Sequence, residues 1–250
     1  MSAGDSVRLF CLAPEGVSAG VYLPWADALG PAVLVTPVEL PGHGRRTDRP
    51  RTAPDRVLAE ILPYVARLRD RPFALYGHGL GALLAHEIAV RLEWEHDAVA
   101  ERLYVSGTGP HPRPAPAGAA PAPVPVDADL LRSLADQGRI PPGAAEPRRA
   151  ARTLAALRAD LTLRAQCRPD PRHVLHCPLT VMTTPRDPDL TPADAAAWRA
   201  RTRSTTRVES FTGDPHFPLS ARWEVLGTFE RDLVRPRAAH RAAGLAGTAF

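Results

Sequence analysis

The segment with the most chemical content is Gly77-His78-Gly79-Leu80-Gly81. It follows the apolar run starting at Phe73 and leads into the Leu- and Ala-rich stretch Leu80–Leu92. A strand, a tight glycine turn and a helix in that order form the setting of a G-x-S-x-G nucleophile elbow. The outer glycines of such a turn let strand and helix approach closely, and its central residue accepts a strained backbone. A central serine would hold its oxygen above a helix N-terminus, ready for acyl transfer. Here the centre is Gly79, which has no side chain, so no acyl-enzyme can form on it. Ser18 reads as a helix cap and Ser106 as a strand-terminal residue, neither placed as an activated nucleophile. The nine histidines show no metal-ligand spacing, and no metal or cofactor is expected.

The elements that must position this turn alternate between strand and helix. Val7–Leu12 reads as a buried strand, followed by an amphipathic stretch ending near Leu29. Val33–Leu40 reads as a second strand, irregular or at an edge because of Pro37. Val57, Leu58, Ile61, Leu62, Val65 and Leu68 recur at helical spacing within Asp55–Leu68. Phe73–Gly77 and Leu103–Gly107 are further strands. The alternation then breaks. His111–Val126 is Pro- and Ala-rich and reads as an extended linker, and two helices follow, Asp127–Gln137 and Glu146–Arg164. Alternation resumes with strand Leu179–Thr184, helix Pro192–Arg203, strand Arg207–Thr212 and helix Arg222–Val234. This order predicts an α/β fold with a mostly parallel sheet covered on both faces, whose site lies at the carboxyl ends of strands. Residues 1–109 and 176–235 form the expected core, 110–175 an insertion, and 236–250 a disordered tail.

At 250 residues, 44% hydrophobic and 23% charged, the chain suits one large folded domain or a core carrying an insertion. No apolar run approaches the ~20 residues of a membrane span, and no secretory leader is visible, so a cytoplasmic location is expected. The 31 basic residues are all Arg and exceed the 27 acidic ones by 4. They are dispersed, unlike the clustered footprint of a nucleic-acid binder, and the mild excess favours an acidic partner. Cys11, Cys167 and Cys177 are odd in number and match no zinc pattern; free structural thiols are expected.

Beyond the elbow, Leu9–Leu12, Gly16 and Ser18, Tyr22–Leu29, Val38–Arg46, Arg71–Ala89, the strand LYVSG, Leu157–Leu161, Cys177–Val181, Arg186–Leu190 and Pro215–Phe217 occur in an order that resembles the stand-alone (type II) thioesterases of polyketide and nonribosomal peptide assembly lines. The resemblance extends to about residue 235. It implies an α/β-hydrolase fold in which the insertion forms a lid. It also implies a Ser, Asp, His triad. The serine position falls on Gly79, the Asp on Asp187 with Asp189 as near alternative, and the His on His216. The oxyanion hole falls near Glu15 and Leu80, with His78 and His43 flanking the pocket.

Two departures from that pattern shape the functional expectation. Gly79 removes the nucleophile, a loss worth roughly 10⁶-fold in serine hydrolases. The segment Ala13-Pro14-Glu15-Gly16-Val17 replaces a small, glycine-rich loop, so Glu15 sets a carboxylate where an oxyanion would be stabilised; it can serve instead as acid or base. The leading expectation is non-hydrolytic His216–Asp187 acid–base chemistry, with Glu15, on a polyketide or peptide intermediate: cyclisation, elimination, isomerisation or an aldol-type step. The alternatives are a weak hydrolase using His-activated water, an engineered Ser→Gly thioesterase, and a non-catalytic module that binds an acyl or peptidyl carrier protein.

Overall fold

The computed structural model describes residues 6–111, 127–136, 140, 145–185, 187–214, 217–220 and 222–234. Six strands, β1 (Val7–Leu12), β2 (Val33–Pro37), β3 (Phe73–His78), β4 (Leu103–Ser106), β5 (Leu179–Thr183) and β6 (Thr206–Ser210), form one sheet in the order β2-β1-β3-β4-β5-β6. Every neighbouring pair is parallel. Eight helices are described: α1 (Pro24–Leu29), α2 (Pro54–Arg67), α3 (Leu80–His96), α4 (Ala128–Asp136), α5 (Pro147–Gln166), α6 (Pro192–Ala197), α7 (Phe217–Ser220) and α8 (Arg222–Phe229).

Alternation along the strands splits the core into two layers. Phe10, Leu12 and Leu75 pack with α2 and α3 on one face. Leu9, Cys11, Tyr76 and Tyr104 pack with Trp25 and Phe229 on the other. β3 is buried along its whole length, which explains its unbroken apolar character. Pro37 ends the edge strand β2, where a missing ladder donor is tolerated. Several elements differ at their ends from the sequence reading. β2 stops at Pro37, short of Leu40. α3 runs one turn past Leu92 to His96, because no glycine or proline interrupts it before the left-handed Asp97 (φ 49°). The three cysteines are free and buried.

The chain leaves β1 for β2 on one side and returns to β3 on the other. This reversal makes a topological switch point between β1 and β3, where open α/β sheets bind ligands. Leu12 pairs in register with Gly77, so the loop after β1 is brought against the turn after β3. The proposed tail, 236–250, and most of the Pro-rich linker lie outside the described residues.

Candidate active site

Two glycines are fixed by packing. A Cβ on Gly77 would sit 2.1 Å from the Gly81 carbonyl oxygen, and one on Gly81 would sit 2.3 Å from the Leu12 carbonyl oxygen. Strand, turn and helix therefore touch backbone to backbone. Between them Gly79 has φ 56° and ψ −123°, a conformation that strains any residue with a side chain. Its N–H donates to the Ser106 carbonyl (2.9 Å) and its carbonyl accepts from Ala82 (3.0 Å). Leu80 opens α3 with its side chain buried in the core. Only its backbone is available to a ligand, among first-turn N–H groups that lack intrahelical partners.

Glu15 reaches the turn from the β1 loop. A Cβ added at Gly79 would lie 2.6 Å from Glu15 Oε2 and 3.3 Å from Pro14 Cβ. The carboxylate thus fills the space a side chain at position 79 would enter. Its other oxygen, Oε1, accepts from Arg164 Nη1 at 2.7 Å, and Arg164 Nη2 lies 3.4 Å from Thr108 Oγ1. Burial alone would raise the Glu15 pKa, but the charge and hydrogen bond of Arg164, with a backbone hydrogen bond and the charge of His78, together hold the group below its ordinary value. Glu15 is therefore ionised at neutral pH.

His78 Nδ1 lies 2.8 Å from the fully buried Ser106 Oγ, which also meets the Tyr76 hydroxyl and the Gly77 carbonyl. The bond ties the end of β3 to the end of β4, and the ring borders the cavity beside Gly79. Ser18 caps the short 3₁₀ turn Ala19–Tyr22 by accepting from Gly20 N–H, and donates to Glu39 Oε2 at 2.7 Å. Neither serine is placed as a nucleophile. Asp187 follows β5, is largely buried, and accepts the Asp189 N–H at 2.9 Å; both aspartates line the cavity. His216 lies outside the described residues.

The cavity measures about 220 Å³. Its floor holds Glu15, His78, Gly79 and Gly107, and Leu130 and Leu134 of α4 with Leu157 and Leu161 of α5 roof it. The two helices of the insertion therefore cover the elbow. Arg164, on the same helix, was not singled out by its sequence context, since an Arg in the last turn of a helix is common and favoured by the dipole.

His43 departs from its expected place. It borders not the cavity at Gly79 but a second one, of about 500 Å³, lined also by Ser18, Gly42, Gly44, Arg148, Arg149 and Arg152. Segment Glu15–Gly16 and helix α5 lie between the two, because each contributes neighbouring residues to both linings. His43 Nδ1 donates to the Pro41 carbonyl (3.0 Å), and Nε2 lies 2.8 Å from Asp160 Oδ2, which also accepts the Gly16 N–H at 2.8 Å. Burial would lower the His43 pKa, but the hydrogen bond and charge of Asp160 raise it above its ordinary value. Asp160 and Arg164 are thus one turn apart on α5 and grip the adjacent loop residues Gly16 and Glu15. Among the described residues no group of three or more His, Cys, Asp or Glu side chains could hold a metal ion, and no helix is long and apolar enough to cross a membrane.

A parallel six-stranded sheet, a glycine-tight turn after its central strand and a helical cover over that turn define the α/β-hydrolase fold of thioesterases. The chain belongs to the thioesterase domain family, which it matches over residues 7–233. It is 31% identical over 253 residues to linear gramicidin dehydrogenase LgrE of Brevibacillus parabrevis, covering 98% of this chain and 94% of that one. It is 33% identical over 238 residues to AMB antimetabolite synthetase AmbE of Pseudomonas aeruginosa, covering 93% of this chain but only 11% of that protein's length. The structure of the type II thioesterase BorB from the borrelidin biosynthetic cluster superposes with a TM-score of 0.75 at 31% identity, over 91% of this chain and 93% of BorB.

Proposed function

We propose that this chain carries out proton-transfer chemistry, without an acyl-enzyme, on an acyl or peptidyl intermediate of a polyketide or nonribosomal peptide assembly line. The observation that carries the reading is Glu15 Oε2, 2.6 Å from where a Cβ at position 79 would lie. The resemblance maps the family's nucleophile to Gly79, so an ionised carboxylate stands at the nucleophile's place. Thioester hydrolysis through a tetrahedral intermediate would build negative charge next to it, which Coulomb repulsion opposes. Removing a proton from a carbon beside a carbonyl suits the site better, because a proton taken by Glu15 neutralises the carboxylate as charge develops on the carbonyl oxygen. The proton passes to a base of the set His216, Asp187 and Glu15. The electron pair moves onto the carbonyl oxygen, where Arg164 offsets its charge. That enolate then attacks a second carbonyl within the same molecule, expels a β-oxygen, or is reprotonated elsewhere. The aliphatic roof supplied by α4 and α5 accepts the acyl chain and excludes water.

Hydrolysis by base-activated water is the second reading, favoured by membership of a thioesterase family and by the cavity beside Gly79. Either way, the intermediate would arrive on an acidic acyl or peptidyl carrier protein in the cytoplasm, and α4 and α5 would act as a mobile lid. The test is to incubate the chain with carrier-bound and released intermediates of its pathway and read products by mass spectrometry. Loss of water, or unchanged mass with altered retention, supports the first reading; gain of water alone overturns it in favour of the second. His216→Ala should lower turnover by ~10²–10⁴-fold, the usual range for a general base, with the fold intact. Full turnover in that variant would remove His216 from the mechanism.

A further inference from the structure

Every outcome open to the enolate ends with a proton delivered: to the alkoxide of a new carbon–carbon bond, to the β-oxygen as it leaves, or to a different carbon. The base that collects the first proton is one group. Delivery asks for a second, carrying a hydrogen it can release near neutral pH. The ionisable groups that line the elbow cavity among the described residues are Glu15, His78, Arg164, Asp187 and Asp189. Carboxyl groups ordinarily lose their protons well below neutral pH, and a guanidinium does not give its proton up. An imidazolium does. The His78 ring is also in place to do so. A Cβ built on Gly107 would lie 2.6 Å from His78 Cε1, 2.9 Å from Nε2 and 3.0 Å from Nδ1. The nitrogen-bearing edge of the ring therefore lies on Gly107, which lines this cavity together with Gly79.

Ser106 decides which ring nitrogen exchanges the proton. Its Oγ, fully buried, is 2.8 Å from His78 Nδ1, 3.2 Å from the Tyr76 hydroxyl and 3.4 Å from the Gly77 carbonyl. The carbonyl can only accept, so the one hydroxyl hydrogen goes to it, and Oγ accepts from Nδ1 and from Tyr76. With a hydrogen held on Nδ1, protons come and go at Nε2. We propose that His78 is the catalytic acid of this site, donating from Nε2 to the atom on which the enolate's electrons come to rest, with Ser106 as its positioning residue. This role rests on the proton-transfer chemistry proposed above. In an elimination the base takes the proton from the carbon beside the carbonyl, and that electron pair becomes the new double bond. The bond to the β-oxygen breaks toward oxygen, and the Nε2 hydrogen joins it to leave water. The ring ends neutral and the base protonated, and a proton returned from base to ring resets both. The charge of His78 is among the causes that keep Glu15 ionised, and that attraction is mutual.

The test gives the whole chain the β-hydroxybutyryl thioester of N-acetylcysteamine in deuterated water. Proton NMR follows exchange of the hydrogen beside the carbonyl, which needs the base alone. Mass spectrometry follows loss of water, which needs base and acid together. In His78→Gln exchange should persist while loss of water falls by ~10²–10⁴-fold, the usual range for a general acid. Undiminished loss of water in this variant overturns the role of His78 and leaves the proton-transfer reading standing. Loss of exchange as well, in a folded variant, places the ring on the proton-removing side and overturns its role as donor. No exchange in the unaltered chain overturns the proton-transfer reading, and the role of His78 falls with it. ¹⁵N NMR of the unaltered chain labelled at histidine reads the ring without turnover and needs no variant to fold. A hydrogen on Nδ1 of His78 is expected, and Ser106→Ala should let it move to Nε2. A neutral ring in the unaltered chain with its hydrogen on Nε2 overturns the proposal.

Discussion

The two cavities share α5 as a wall and differ in what that wall presents. Leu157, Leu161 and Arg164 recur at helical spacing toward the elbow, where they meet Glu15, Asp187 and Asp189. Arg149, Arg152, Thr153 and Ala156 recur on a neighbouring stripe toward His43. One helix thus serves an apolar, carboxylate-floored chamber and an arginine-lined one, because adjacent positions on a 3.6-residue period face different neighbours. The contrast extends to the ion pairs behind each chamber. His43–Asp160 is almost wholly buried, with side chains 3% and 2% exposed, whereas Arg164–Glu15 keeps 21% and 12%. Burial decides how much each pair costs to break.

The largest effect expected from this difference is at the deeper pair. Asp160→Ala leaves the buried His43 ring and the Gly16 N–H without their acceptor and should cost about 3 kcal/mol in a denaturant titration. A loss below 1 kcal/mol would mean that water replaces Asp160 as the acceptor for both groups. Arg164→Met strands Glu15 in a more solvated setting, and about 2 kcal/mol is expected there. If the two losses come out equal, burial is not what separates the chambers.

A pH series sharpens the contrast. The raised pKa of His43 makes its contribution full below 6.5, its value in the unfolded chain, and lost as pH rises through the folded value. His86, fully buried in α3 against Trp198, has its pKa lowered by desolvation, so its effect has the opposite sign: stability falls as pH drops below 6.5. Asp160→Asn should flatten the alkaline limb of the stability profile, since it removes both the raised His43 pKa and the raised Asp160 pKa that burial causes, while the His86 contribution on the acid side stays. His86→Leu should flatten the acid limb and gain up to about 1 kcal/mol at neutral pH, since among the described residues Nε2 has no hydrogen-bond partner and Nδ1 has only a long contact, 3.4 Å, with Glu87 Oε1.

A smaller effect is expected at the elbow for so crowded a place. Gly79→Ala should destabilise by about 1–2 kcal/mol, from backbone strain at φ 56° and displacement of the Glu15 carboxylate. Adding Glu15→Gly should recover part of that loss. No recovery would show that the strain, and not the carboxylate, is the obstacle.

The elements of the sheet, the elbow and the two covering helices were legible because each rests on local signals: alternation, periodicity, glycine spacing. The Ser18 cap and the edge position forced by Pro37 were legible for the same reason. What escaped was the pairing between distant segments. Glu15 and Arg164 are 149 positions apart, and His43 and Asp160 are 117 apart. Nothing local distinguishes Arg164 from the other arginines of α5, or shows that His43 faces the arginine chamber and not the elbow. Those facts are set by how α5 lies across the sheet, which periodicity alone does not encode.

The double grip of Asp160 on Gly16 and Arg164 on Glu15 makes the C-terminal half of α5 a pivot. Two attachments one turn apart resist rotation as well as translation, as a single one would not. The helix extends some twelve residues beyond Asp160 to Arg148, a lever of about 18 Å. A tilt of about ten degrees about Asp160 moves the Arg148 end by roughly 3 Å while Arg164 hardly shifts. A tilt of α5 would therefore reshape the arginine chamber before it disturbs Leu157, Leu161 or the charges at the elbow, all of which lie within about one turn of the pivot.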